Sequence, residues 1–130
     1  MRVCGILLLF IVLSGCMTRR DLAVVPPRPD GPHYAAIYAA GFIEPPRDRA
    51  SVLCSLAARQ DLTAGEQIYL IDVLVASGGT SNQNAAVLLE LIHNPTVNNF
   101  TRAKIADAIP YLELLPRHAE EVGATMAYQR

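Results

Sequence analysis

The side chains able to do chemistry in this 130-residue chain are few and scattered. Cysteines stand at Cys4, Cys16 and Cys54, and histidines at His33, His93 and His118. A helical metal site needs a second His, Cys or carboxylate one turn from the first, and no histidine here has a partner that completes such a set. His93 and His118 fall near predicted helix ends and read as capping or surface residues. The chain contains no G-x-S-x-G elbow, no phosphate loop and no dinucleotide-binding glycine pattern. Gly78-Gly79-Thr80-Ser81 could present amides and hydroxyls to an anion at a helix start, but the same residues also make an ordinary turn followed by a cap. Asp72 is the carboxylate of most interest, because its sequence neighbours are apolar and burying it unpaired would be costly. It is expected on a helix face that reaches water or paired with an Arg such as Arg59 or Arg102. With Tyr69 it is also the candidate for a functional cleft between helices. The expectation is a protein that is not an enzyme and that holds no metal or cofactor.

The amino terminus carries a more specific pattern. Met1-Arg2-Val3 is a short, positively charged start, and an uninterrupted apolar run follows over residues 6–13. That run is too short for a bilayer core, which takes about 20 residues, but it suits the core of an export signal. It ends in Leu13-Ser14-Gly15-Cys16. This tetrapeptide, in this position, resembles the lipobox of bacterial lipoproteins. The resemblance implies that residues 1–15 are removed as a signal peptide, with Leu13, Ser14 and Gly15 read by the peptidase. It further implies that the Cys16 thiol takes a diacylglycerol thioether and that the new amino terminus is acylated. Two lipid signals already anchor stably, so three should hold the chain on the membrane. Met17, where an Asp would favour inner-membrane retention, points to the outer membrane, facing the periplasm. On this reading Cys4 is lost and Cys16 is capped. Cys54 is then the single remaining thiol, expected to be a small buried hydrophobe.

Composition agrees with a folded single domain behind such an anchor. Hydrophobic residues make up 52% and charged residues 18% of the chain, with no Trp. The net charge of −1 lacks the basic excess that phosphate binding requires, so no nucleic-acid partner is expected.

Three segments are predicted. Residues 1–15 form the signal. Residues 16–45 hold the lipidated Cys16, a tether rich in proline (Pro26, Pro27, Pro29, Pro32) and a short helix over 33–40 that docks on the body. Sixteen tether residues span roughly 50 Å when extended, and Arg19 and Arg20 lie beside the lipid. Residues 46–130 form an all-α domain of about five helices. The first runs over 47–60 behind Pro46, with Val52, Leu53 and Leu56 inward. The second opens on the capping-box pattern Thr63-Ala64-Gly65-Glu66, is apolar on nearly every side, and stops at Gly78-Gly79. The third follows a Thr80 or Ser81 cap and ends at His93-Asn94-Pro95. The fourth begins near Val97 or Thr101 and reaches Pro110, with Phe100, Ile105 and Ile109 inward. Pro116 opens the last, which carries Ala119, Val122 and Met126. Sliding the chain by 35 residues superposes Leu53 and Leu56 on Leu88 and Leu91, and Leu70 and Leu74 on Ile105 and Ile109. That period suits stacked helical hairpins of the HEAT kind. A small irregular bundle remains the simpler expectation.

The function these features point to is a lipid-anchored envelope component, held by Cys16, that serves as a non-catalytic interaction or assembly module for an envelope protein. A pilotin-like escort fits that class. The alternatives are an envelope small-molecule binder or enzyme using an inter-helix cleft, and an exclusion or immunity lipoprotein.

Overall fold

A computed structural model describes residues 31–128. Leu13, Ser14, Gly15 and Cys16, the export signal and nearly all of the tether therefore lie outside the described residues. The described chain is all-helical: α1 Tyr34–Ala40, α2 Pro46–Ala57, α3 Ala64–Ser77, α4 Ser81–His93, α5 Asn99–Ala108 with a 3₁₀ turn Ile109–Tyr111, and α6 Pro116–Tyr128. None of these helices is long and apolar enough to cross a membrane.

The helix boundaries follow local chemistry. At the start of α3, the Thr63 side chain accepts from the Glu66 amide and the Glu66 carboxylate accepts from the Thr63 amide, so two orphan donors are satisfied reciprocally. Thr80 and Gln83 build the same box at the start of α4, and Asn98 accepts from the Thr101 amide to cap α5. Pro46 and Pro116 occupy first-turn positions, where a missing N–H costs nothing. Between α3 and α4 the backbone takes positive φ at Gly78 (74°) and Gly79 (128°), which glycine adopts without Cβ strain.

The helices form two layers. In one, α1 lies against α3 and α3 against α5; in the other, α2 lies against α4 and α4 against α6. Each odd helix is joined by a short connection to the even helix after it, a helical hairpin in sequence, and three such units stack through α1–α3–α5 and α2–α4–α6. The even helices start at Pro46, Ser81 and Pro116, and the last two odd helices at Ala64 and Asn99, so all three intervals are 35 residues. The bundle is therefore a stack with a 35-residue period. Its core joins Ile37 of α1, Leu53 of α2, Leu70, Ile71 and Leu74 of α3, Leu88 and Leu91 of α4, and Ile105 of α5 into one cluster. The short helix α1 contributes to this cluster alongside the longer ones, with Tyr34, Ile37 and Ala40 all buried.

Two residues expected inward point outward. Phe100 is 79% exposed and Val52 37% exposed. At Phe100 the helix has turned so that Thr101 is buried instead, because Thr101 Oγ1 donates to Gln67 Oε1 at 3.2 Å across to α3. Val52 has a topological cause. It stands 35 residues before Val87 and 70 before Val122, both fully buried. The buried residues of α6 are His118 and Val122, and that helix lies against α4. This column of the repeat thus faces the preceding even helix, and α2 has none.

Polar side chains join one hairpin to the next. Asn94, buried at the end of α4, donates from Nδ2 to the carbonyls of Ala57 (2.9 Å) and Arg59 (2.8 Å). Its Oδ1 accepts from the Thr96 amide and hydroxyl. The frayed end of α2 is thereby satisfied by a side chain one period away. Asn94→Ala is expected to lower stability by about 1–3 kcal/mol, since it strands buried carbonyls; urea unfolding followed by circular dichroism would measure it.

Candidate functional site

The residues singled out for chemistry do not converge. Asp72, on the half-buried flank of α3, accepts an ion pair from Lys104 Nζ at 2.6 Å. Asp72 lies on a face that reaches water, as first expected, and the alternative of an Arg59 or Arg102 partner is corrected: the stacking of α5 on α3 sets Lys104 opposite Asp72. Arg59 pairs with Asp61 instead, at 2.6 Å, and Arg102 Nη1 is buried with no hydrogen-bond partner. Both members of the Asp72–Lys104 pair are about a third exposed, and such pairs contribute only about 0.2–1 kcal/mol. Asp72→Asn should accordingly leave the melting temperature within a few degrees of the parent. Tyr69 is buried, and its ring meets that of Tyr34 edge to face at 5.2 Å. The two residues proposed to line a cleft are thus engaged with neighbouring helices.

His118 is a further correction. It is buried rather than on the surface, because Ser81 Oγ sits 2.6 Å from its Nδ1. The same Ser81 oxygen accepts the Leu115 amide at 2.6 Å. A Ser hydroxyl on a His nitrogen is the contact of a nucleophile with its base. Here the oxygen is occupied by a backbone donor, and the pair ties the start of α4 to the start of α6. His93 is exposed, as expected. Cys54 is half-buried; burial, with the Glu90 charge as a lesser cause, pushes its thiol up from the ordinary range. A thiol held protonated is a poor nucleophile, so native protein should react with iodoacetamide more slowly than urea-unfolded protein, read as Cys54 mass shift against time.

The densest polar cluster lies where the amino-terminal segment enters the body. Glu66 is fully buried at the first turn of α3. Its Oε1 accepts from the Thr63 amide at 2.9 Å and its Oε2 from the His33 amide at 2.7 Å. The His33 ring places Nδ1 3.2 Å from Glu66 Oε2 and Nε2 3.3 Å from Asp61 Oδ2, so the imidazole lies between two carboxylates. Asp61 in turn takes both guanidinium contacts of Arg59, at 2.8 and 2.6 Å. That hydrogen bonding from Arg59, against a smaller opposing cost of burial, holds the Asp61 carboxyl at about 2. Burial acts to raise the Glu66 carboxyl, but the hydrogen bonds from Thr63 and His33 outweigh it and leave Glu66 below its ordinary range. Gly31 brings the backbone tight against the Tyr34 ring, where a Cβ would approach to 2.5 Å. Among the described residues no group of His, Cys, Asp and Glu side chains could hold a metal ion.

This arrangement is a junction. One buried carboxylate caps α3, holds the residue before α1, and through His33 reaches the Arg59–Asp61 loop. The sequence showed half of it, as the capping box, but not the His33 contact, whose only sign was a histidine 33 residues before Glu66. No family model, curated protein or solved structure matches the chain.

Proposed function

We propose that the mature protein is a lipid-anchored component of a bacterial cell envelope, attached through Cys16, whose stacked hairpins serve as a non-catalytic interaction or assembly module. The observation that carries this reading is the sequence Leu13-Ser14-Gly15-Cys16 directly after an apolar run of export-signal length. The small residues admit a peptidase to the bond before Cys16, and the thiol supplies the nucleophile for thioether formation. Support for an interaction role comes from the body. Stacked helical hairpins build extended surfaces that bind through shape and side-chain pattern, and the junction around Glu66 couples such a surface to its anchor. The outer membrane, facing the periplasm, is the location favoured by Met17.

Cys16→Ser tests the anchor. The parent should incorporate labelled palmitate and shorten on processing, and globomycin should block that shortening. The variant should remain full-length and unlabelled. A parent that matures without lipid on Cys16 refutes the reading. The interaction role is tested by crosslinking in the intact envelope, where a defined envelope protein should be captured reproducibly; recovery of abundant lipoproteins alone counts against it.

A further inference from the structure

The even helices share one docking stripe, and the first of them leaves it uncovered. His118 and Val122 are the buried residues of α6, and α6 lies against α4. One period earlier Val87 of α4 is fully buried. Asn94, at the end of α4, reaches the carbonyls of Ala57 and Arg59 at the end of α2. Stepped back by the 35-residue period, these positions are Asp48, Val52 and Arg59 of the first hairpin. With Ser55 they follow one another at intervals of four, three and four residues, the spacing of a single helix stripe. All four are exposed. The other end of the stack is finished differently. Gly123 follows Leu53 and Leu88 in their column, and a Cβ there would meet nothing within 4 Å. Ile68 and Ile71 of α3 give way to Ala103 and Ala106 of α5, both exposed. Bulky residues are thus trimmed where no hairpin follows, as a terminal repeat requires.

We propose that a second copy of this chain covers the α2 stripe, the two helices packing antiparallel about a two-fold axis. The stripe is complementary to itself in one register. An axis passing between Leu53 and Cys54 sets Asp48 opposite Arg59 of the second copy and Val52 opposite its Ser55. Symmetry then repeats both pairs. Arg59 holds Asp61 through Nε and Nη2, which leaves the Nη1 donors of its guanidinium for a further carboxylate. The Asp48 carboxylate lies 3.8 Å from Arg47 Nε, a loose contact that a closer cation would replace. A parallel pairing would oppose Asp48 to Asp48 and Arg59 to Arg59, and like charges repel. A head-to-tail pairing would have to use the trimmed end and would leave one stripe open however many copies were added. The two-fold arrangement covers both stripes at once.

One helix stripe is smaller than the roughly 800 Å² per partner of a standard interface, so the pairing belongs to the weak class. Confinement on a membrane raises the effective concentration of the copies and strengthens it. That strengthening rests on the anchor reading; the complementarity of the stripe does not.

The test makes two copies of the full chain in one cell, with different carboxyl-terminal tags and p-benzoylphenylalanine at Ser51 beside the stripe. Glu120, exposed on α6, is the control position. Illumination should join the two tags through position 51, with the product mapping to residues 52–59 of the other copy, and position 120 should give no such product. Asp48→Arg in both copies should lower the yield about tenfold, because two symmetry-related pairs turn from attraction to repulsion. Arg59→Asp in both copies should do the same. One Asp48→Arg copy with one Arg59→Asp copy restores opposite charges at both pairs and should recover the parent yield, which two misfolded chains could not do. A product from position 51 to another protein, to lipid or to a different helix of the second copy overturns the proposal. So does the absence of product, or a mixed pair that crosslinks no better than Asp48→Arg alone. Palmitate labelling of the same cells separates the two readings: the mapped crosslink without lipid refutes only the anchor, and lipid without the crosslink refutes only the pairing.

Discussion

Replacing Glu66 by alanine is expected to lower the unfolding free energy by about 2–4 kcal/mol. The substitution removes the acceptor from two backbone amides at once, those of Thr63 and His33, in a site that water does not reach at Glu66. Each donor left unsatisfied costs about 1–3 kcal/mol, and the capping box is lost with them. For a domain of this size that corresponds to a fall in melting temperature of roughly 10–20 °C. Glu66→Gln keeps an acceptor for one amide and should fall between the variant and the parent. The pH dependence separates charge from shape. The folded Glu66 carboxyl lies below its ordinary value, so its contribution is complete above the unfolded value near 4.3 and disappears as pH falls through the folded value. The parent should therefore lose stability on acidification below about pH 4.5, and Glu66→Gln should lose less over the same interval. Denaturant unfolding from pH 7 to pH 3 measures both; identical slopes in the two proteins would refute the role given to the carboxylate. Asp61, held at about 2 by Arg59, adds to the same acid limb, but from an exposed position.

The second large effect contrasts two positions of one repeat column. Leu88→Ala should cost about 2–5 kcal/mol, because Leu88 is fully buried in the middle hairpin with another hairpin on each side. Gly123, 35 residues later, occupies the same place in α6 but faces open space. Gly123→Ala should therefore stabilise by about 0.5–1 kcal/mol, the helix-propensity gain alone. Opposite signs at equivalent positions are what a finite stack predicts, since only interior hairpins are covered twice. A Gly123→Ala protein less stable than the parent would mean that something covers α6 in solution.

The same contrast shows what could be read in advance. Helix number and most boundaries were legible, because they are set within a few residues: the Thr63–Glu66 box, the Gly78-Gly79 stop, the Asn94-Pro95 stop and the Pro116 start each act on the adjacent backbone. The 35-residue period was legible in its leucines, but the stronger sign, the equal spacing of helix starts at Pro46, Ser81 and Pro116, needed the boundaries to be fixed first. The water-reaching face of Asp72 was legible, but Lys104 opposite it was missed, since the partner weighed was an Arg and nothing local to Asp72 names a residue 32 positions away. His118 was read as a capping or surface residue, and its burial was missed for the same reason; its partner Ser81 lies 37 residues back.

By itself, then, the sequence determined the helices, their caps and the lipobox-like pattern at Cys16, because each depends on neighbours along the chain. Tertiary structure alone decided which face of each helix is covered. Val52 and Val87 occupy the same place in the repeat and carry the same side chain, yet one is 37% exposed and the other is fully buried. The difference is whether another hairpin precedes the helix, and that is a property of the stack and not of any window of residues.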